Sequence, residues 1–243
     1  MKLIINADDF GLTKGVNRAI IDAYKKGALK STTMMVTMRE VEDAVRLAKE
    51  NSGLGVGLHL TATAGEPLRK DLKSLTDENG KFYKFYDLQK GTKVIDPEEL
   101  YLEWEAQLDK FKTLMGHMPT HLDSHHFAHL IDRYKHIAVR LAKKYDLPMR
   151  TLETNKEEKT VKYTMGFYDD RVCYEFFEED RANILEEEII DLMCHPAYYD
   201  SVLESLSSYT RTRELELEIL TSDRVKNWIK DNNIELTNYT IFK

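Results

Sequence analysis

Short apolar runs that alternate with amphipathic stretches are the feature of this 243-residue chain that most restricts its fold. Runs of strand character lie at 2–6, 32–37, 55–60, 120–125, 147–152, 189–195 and 234–239. Stretches of helical periodicity lie at 14–28, 40–51, 97–116, 132–146, 210–220 and 222–232. Strands joined by helical crossovers run parallel. About seven such strands predict an α/β fold, a TIM-like (β/α) barrel that is either complete or incomplete, in preference to an open doubly wound sheet.

The length of the chain suits one large domain with a substantial core, so we expect residues 1–243 to form a single barrel domain. Two segments, at about 61–96 and 153–181, interrupt the strand–helix alternation. Long connections in compact α/β domains are commonly lids or binding loops. Ordinary insertions with a small core of their own explain these two segments equally well.

Charge and hydropathy restrict the partners that this chain is expected to have. The formal net charge of -7 argues against binding to a nucleic-acid backbone, which requires clustered Lys and Arg. The longest apolar runs, such as "LIINA", are too short to span a bilayer, and the first residues lack the pattern of a secretory signal peptide. Two cysteines provide no disulfide framework. We therefore expect a soluble cytoplasmic protein without nucleic-acid or membrane partners.

Charged and imidazole side chains stand at the carboxyl ends of several predicted strands. They are Asp8, Asp9, His59, Asp123, His125, Arg150 and His195. In a parallel barrel, these strand ends meet at one mouth, where active sites form. A buried structural histidine explains any one of these residues, but it explains the whole set poorly. The sequence therefore predicts a functional site at the mouth of the barrel.

The stretch "THLDSHHFAH" contributes several of these residues. His121, Asp123 and His125 share one face of the predicted strand. Since a strand rises about 3.3 Å per residue, His121 and His125 lie roughly 13 Å apart and cannot share one ion. His125, at the strand end, is the better ligand candidate. His129 joins it if the chain turns helical at once, whereas His126 is expected to face away.

One carboxylate and two imidazoles suit a divalent metal ion such as zinc or magnesium, with an open position for water. The adjacent acids Asp8 and Asp9 fit a division of labour, in which one holds the metal while the other acts on the water. Neighbouring strand residues point to opposite faces, so this requires the chain to turn by Asp9, and Gly11 favours such a turn. The alternative is an acidic loop that only caps the first helix.

Four motifs, "NADDFGLT", "GLHLTAT", "THLDSHHFAH" and "CHPAYYD", occur in this order along the chain. Together they resemble the YdjC-like carbohydrate deacetylases, a family with members that remove an acetyl group from N-acetylated chitooligosaccharides. The resemblance covers nearly the whole chain, from residue 4 to about 200. It implies a TIM-like, often incomplete barrel and a metal-dependent hydrolysis of an N-acetyl group on a sugar.

The same resemblance implies a role for individual residues. A divalent cofactor, Mg²⁺ or Zn²⁺, would be bound by Asp9, His59 and His125. Asp8 matches the general base, and His195 matches the general acid that protonates the leaving amine. The implied partner is a small N-acetylated sugar, and a homodimer is a further expectation at the level of the family.

Other residues are expected to contact the substrate or to orient catalytic groups, namely Asp123, His129 and Arg150. Two positions depart from the family pattern. Phe127 stands where many members carry another histidine, and Ala197 stands where glycine is common. Neither is an implied ligand, so these departures concern the substrate and not the metal site.

Two other functions are compatible with the sequence. The first is a metal-dependent phosphoesterase, which would be favoured by basic residues around the mouth; among the strand-end residues only Arg150 is basic. The second is a non-catalytic, metal-containing sugar-binding protein, against which Asp8 and His195 argue. A purely structural metal site would normally be closed by four protein ligands.

Overall fold

A barrel of seven parallel strands forms the centre of the computed structural model, which describes residues 1–242. The strands are β1 (Lys2–Phe10), β2 (Ser31–Met34), β3 (Gly55–Leu60), β4 (Leu122–Ser124), β5 (Met149–Thr151), β6 (Thr160–Thr164) and β7 (Ile189–Cys194). Pairing of β1 with both β2 and β7 closes the ring. A short strand β8 (Glu235–Thr237) pairs with the first residues of β1. The prediction of a TIM-like barrel with about seven parallel strands is confirmed.

Helices surround the barrel, and their ends follow signals in the sequence. They are α1 (Lys14–Lys26), α2 (Val41–Glu50), α3 (Phe85–Lys90), α4 (Pro97–Met115), α5 (Lys135–Tyr145), α6 (Glu175–Glu178), α7 (Ser201–Leu206), α8 (Thr212–Thr221) and α9 (Asp223–Asp231). The hydroxyl of Thr13 caps α1 by accepting the backbone N–H of Val16 at 3.2 Å. The carboxylate of Asp96 caps α4, which ends at Gly116 in the left-handed conformation.

The side chains on the two faces of β1 pack in different clusters. Leu3 and Ile5 belong to the main core, which the barrel shares with the helices. Ile4, between them, belongs to a separate small cluster. Asn6 and Asp8 follow Ile4 at two-residue steps, so they lie on the same face of the strand, and both are buried. This face of β1 is therefore apolar near its amino end and polar toward its carboxyl end.

The segment 153–181 differs from the long connection predicted for it, because it contributes the barrel strand β6. The sequence of this strand, "TVKYT", alternates polar and apolar residues, and only Val161 is fully buried. A charged stretch, "NKEEK", stands immediately before it. These features are typical of a surface loop, and pairing with β5 and β7 makes the segment a strand. The other predicted connection, 61–96, contains the short helix α3.

None of the helices within residues 1–242 is long and apolar enough to cross a membrane.

Candidate active site

Three predicted ligand residues meet at the carboxyl ends of the barrel strands. Asp9 lies near the end of β1, His59 lies near the end of β3, and His125 begins the 3₁₀ turn that follows β4. Oδ1 of Asp9 lies 3.0 Å from Nδ1 of His125 and 3.6 Å from Nε2 of His59. One ligand atom from each residue lies within 4.8 Å of the other two, which is close enough for all three to contact one ion. We call these residues the Asp–His–His trio.

An irregularity in β1 brings two adjacent aspartates toward the same site. The register of β1 against β2 shifts between Ala7 and Phe10, and Asp9 adopts a left-handed conformation with φ of 71°. Aspartate tolerates this conformation better than most residues, and such strain tends to occur at functional sites. Gly11 follows with φ of 102°, which favours glycine. The chain therefore turns at Asp9, as the sequence predicted.

The surroundings of Asp9 fit a bound cation. The carboxylate is almost fully buried, yet neither oxygen has an aligned hydrogen-bond donor within residues 1–242. Burial on its own would raise the pKa of Asp9, but the positive charges of Arg213 and His125 outweigh burial and hold the pKa well below its usual range. A buried, ionised carboxylate beside two imidazole nitrogens is a ligand set that divalent ions accept.

A hydrogen-bond network fixes the orientation of His59. Its Nδ1 lies 2.7 Å from Oδ1 of Asp123, whose other oxygen accepts a hydrogen bond from Thr33 at 3.0 Å. Burial would lower the pKa of His59, but the charges of Asp123 and Asp8 outweigh it and raise the pKa to about 9. Because Asp123 contacts Nδ1, the other ring nitrogen of His59, Nε2, faces Asp9. Carboxylates commonly orient metal-binding histidines in this way.

Arg150 is fully buried and contacts three aspartates. Its guanidinium donates two hydrogen bonds to Asp8, at 2.8 and 2.9 Å, and lies 3.0 Å from Asp123. Its Nε donates to Asp191 at 3.1 Å. Burial raises the pKa of Asp191 to about 6, even though Arg150 acts in the opposite direction. Asp8 also accepts a hydrogen bond from Asn6 at 2.9 Å, so both of its oxygens are held in place.

A second group, Asp8, His59 and Asp123, is also close enough to share an ion. Its carboxylates already have partners, because Arg150 contacts both of them and Asp123 also contacts His59. The Asp–His–His trio is the better cation site, since Oδ1 of Asp9 lies beside the two imidazoles while Arg213 contacts the other oxygen, Oδ2.

His195 follows the last residue of β7, and aromatic rings pack around it. The ring centroids of Tyr168 and Tyr209 lie 5.7 and 5.8 Å from that of His195, in T-shaped arrangements. Burial, and after it the positive charge of Arg213, lower the pKa of His195 to about 4, although the charges of Asp9 and Asp8 act in the opposite direction. Its Nδ1 is buried without an aligned hydrogen-bond partner within residues 1–242, so a proton there is not held by another group of the described chain.

Two histidines of "THLDSHHFAH" differ from their predicted positions. His129 does not join the trio; its ring nitrogens bond to the hydroxyl of Ser124 and to the carbonyl oxygen of Arg150. His126 was expected to face away; the residue is exposed, but its ring centroid lies 3.8 Å from that of His125, so it stands beside the trio. A left-handed conformation at His126, with φ of 55°, turns the chain and brings the two rings together.

Sequence reasoning missed two residues of α8. Nη1 of Arg213 lies 2.9 Å from Oδ2 of Asp9, and Glu216 accepts hydrogen bonds from the backbone N–H of His195 and the hydroxyl of Tyr209. Both residues are buried. Their three-residue spacing on one helix face is the signal that would have indicated a shared contact.

Comparison with known proteins places the chain in a family. Residues 2–231 match the family model of YdjC-like proteins. A carbohydrate deacetylase from Clostridium beijerinckii is 41% identical over 98% of this chain and 99% of its own length. A carbohydrate deacetylase from Vibrio cholerae is 41% identical over 99% of this chain and 96% of its own length.

Among solved structures, a protein from Enterococcus faecalis V583 with a proposed role in cellobiose-phosphate cleavage is 35% identical to this chain. The likeness covers 99% of this chain and 98% of the other, with a TM-score of 0.91. With its family model, its relatives and its fold in agreement, this chain belongs to the YdjC-like family.

Proposed function

We propose that this protein is a metal-dependent carbohydrate N-deacetylase that hydrolyses the N-acetyl group of a sugar such as a chitooligosaccharide. The observation that carries the proposal is the Asp–His–His trio at one end of the barrel, with Asp8 directly beside Asp9. Relatives named carbohydrate deacetylases, which align along nearly the whole chain, support the same reaction.

In this proposal, Asp9, His59 and His125 hold a divalent ion, Zn²⁺ or Mg²⁺. The ligand set suits zinc through its two imidazoles and also accommodates magnesium through the carboxylate. Such an ion, when bound, supplies Lewis acidity toward water and toward the amide carbonyl of the substrate.

Asp8 and His195 transfer protons in the proposed reaction. Asp8 accepts a proton from water as the water oxygen attacks the carbonyl carbon, and Arg150 keeps both oxygens of Asp8 in position. The C–N bond then breaks, and His195 delivers a proton to the departing nitrogen, which leaves as an amine. Because burial and Arg213 lower the pKa of His195 to about 4, the proton comes from the minor protonated form of this imidazole, which is a strong acid toward that nitrogen.

Aromatic side chains next to the trio suit a saccharide ligand. Phe85 of α3 places its ring 6.0 Å from that of His126, and Tyr86, next to it, is 67% exposed. Tyr168 packs against His195 in a T-shaped arrangement. Aromatic rings offer flat apolar faces to the C–H groups of a sugar, so these residues support a carbohydrate substrate.

Acetate release from diacetylchitobiose and longer N-acetylated chitooligosaccharides tests the proposed function. The protein is stripped of metal and assayed with Zn²⁺, with Mg²⁺ or without added metal. We expect turnover only with added ion, at a rate at least about 100-fold above that of the stripped protein. Equal turnover in the stripped protein would contradict metal dependence.

The same assay separates the alternatives. Phosphate release from a phosphorylated disaccharide, without acetate release from any acetylated sugar, would favour a phosphoesterase, and the proposed role of the Enterococcus faecalis relative makes this substrate worth including. Sugar binding without release of either product would favour a non-catalytic sugar-binding protein.

Replacing a trio residue should remove the metal. We expect Asp9→Ala and His125→Ala each to weaken Zn²⁺ binding by more than about 100-fold, since even the loss of an outer partner of a ligand commonly costs 10- to 100-fold. Isothermal titration of stripped protein measures the affinity. His136→Ala is the matched control, because His136 is an exposed histidine on α5. Unchanged affinity in both trio variants would place the metal elsewhere.

A further inference from the structure

We propose that Arg213 is a positioning residue that holds the Asp9 carboxylate so that only one of its oxygens is offered to the metal. Oδ2 of Asp9 lies 2.9 Å from Nη1 of Arg213. Oδ1 is the oxygen near the imidazoles, 3.0 Å from His125 and 3.6 Å from His59. The two oxygens of one carboxylate therefore face different partners. This inference rests on the proposed binding of a metal by the trio.

The protein holds the Arg213 guanidinium in place from behind. Its Nε donates a hydrogen bond to the carbonyl oxygen of Tyr209 at 2.9 Å, and its central carbon lies 5.5 Å from the centroid of the Tyr209 ring. The side chain is buried, and Nη1 has no aligned acceptor within residues 1–242. A buried guanidinium costs free energy unless it is paired with an opposite charge, and the carboxylate of Asp9, 2.9 Å from Nη1, provides that charge.

Glu216 links the same helix to His195. One turn beyond Arg213 on α8, it accepts hydrogen bonds from the backbone N–H of His195 and from the hydroxyl of Tyr209. Residues three apart lie on one helix face, so α8 presents an arginine to Asp9 and a carboxylate to the His195 backbone from the same face. A shift of α8 would disturb both contacts at once.

The Arg213 guanidinium at Oδ2 of Asp9 restricts how this carboxylate can bind a metal ion. A carboxylate binds a metal through one oxygen or through both. Arg213 competes with the metal ion for Oδ2, and the positive charge of Arg213 also repels the ion from that side of the carboxylate. Asp9 is then restricted to binding through Oδ1, and fewer positions around the ion are occupied by protein. A catalytic ion requires such open positions for water and substrate.

Substituted proteins loaded with Co²⁺ test this inference, since the visible spectrum of Co²⁺ reports its coordination number. Arg213→Gln removes the charge, and Arg213→Lys retains it. Arg211→Gln is the matched control: it removes the same charge near the start of the same helix, but Arg211 is exposed and lies over Tyr199. Co²⁺ affinity, the Co²⁺ spectrum, kcat and KM are measured for each variant.

We expect Arg213→Gln to bind Co²⁺ at least as tightly as the wild type and to give a weaker visible band, because Asp9 becomes free to bind through both oxygens. Its kcat should fall by about 10- to 100-fold with little change in KM. Arg213→Lys should recover part of both properties, and Arg211→Gln should match the wild type.

Two results would overturn the inference. One is a Co²⁺ spectrum in Arg213→Gln that is identical to that of the wild type. The other is a loss of Co²⁺ binding in this variant, which would make Arg213 a scaffold for the trio. A wild-type protein that shows a bound Co²⁺ spectrum but releases no acetate would contradict the proposed reaction alone, and the spectra would still test Arg213. A wild-type protein without bound Co²⁺ would overturn both.

Discussion

Asp8→Asn is expected to lower kcat for acetate release by about 10²- to 10⁴-fold while the protein keeps its metal. Asparagine has nearly the shape of aspartate, but its amide cannot accept the proton of an attacking water. Asp8 is not a member of the trio; Arg150 donates to both of its oxygens, and Asn6 donates to Oδ1 as well. The substitution should therefore remove proton transfer and leave the ligands of the ion in place. Steady-state kinetics and Zn²⁺ titration on the same preparation measure the two effects.

Asp191→Asn is the matched control for this experiment. Asp191 also bonds to Arg150, at 3.1 Å, but its other partner is the hydroxyl of Tyr239 and not a member of the trio. If the loss in Asp8→Asn came from disturbing Arg150, Asp191→Asn would show a loss of similar size. We expect Asp191→Asn to keep most of the wild-type kcat. Near-normal kcat in Asp8→Asn would show that Asp8 is not the base.

The sequence was sufficient to predict the class of fold and six of the seven barrel strands, because local rules and the global fold agree in those segments. Buried parallel strands appear as short apolar runs, and Thr13 and Asp96 stand where helix caps are needed. The same reasoning placed Asp9, His59 and His125 at one mouth with four other strand-end residues, and the family resemblance then selected these three as ligands. Their role as metal ligands stays a prediction until the metal is measured.

Other parts of the molecule depend on contacts that the local sequence does not contain. Arg213 and Glu216 stand in "TRELELEIL", where charged residues resemble the solvated side of a helix. They are buried because they face the mouth of the barrel, where Arg213 contacts Asp9 and Glu216 contacts the backbone of His195. The contact between His126 and His125 likewise depends on a left-handed conformation at His126, which the sequence does not indicate because the residue is not a glycine.

Arg150→Met is expected to lower the free energy of unfolding by about 3–5 kcal/mol, because it removes one member of a buried ion-pair network. Asp8, Asp123 and Asp191 all contact the Arg150 guanidinium, which is fully buried. Methionine fills a similar volume but leaves these carboxylates without their cation. Since domains of this kind commonly unfold with about 5–15 kcal/mol, the variant should still fold, and urea denaturation followed by circular dichroism can measure the difference.

Arg140→Met separates the effect of burial from the loss of any arginine. Arg140 is half exposed and pairs with Glu98, and an exposed pair contributes at most about 1 kcal/mol. If both variants lost the same free energy of unfolding, the network around Arg150 would contribute little to stability. The main effect of Arg150 would then be to hold Asp8 in position.

The dependence on pH provides a second, independent check on the Arg150 network. In the wild type, burial raises the pKa of Asp191 to about 6, above the usual value of about 3.9 in an unfolded chain. A carboxyl with a raised pKa binds its proton more tightly in the folded state, so it destabilises the fold at high pH and less so as the pH falls through the folded pKa. Without Arg150, the pKa of Asp191 should rise further. The difference in the free energy of unfolding between Arg150→Met and the wild type should therefore shrink as the pH falls toward about 6. A difference that stays constant would mean that the buried carboxyls do not take up protons when their cation is removed.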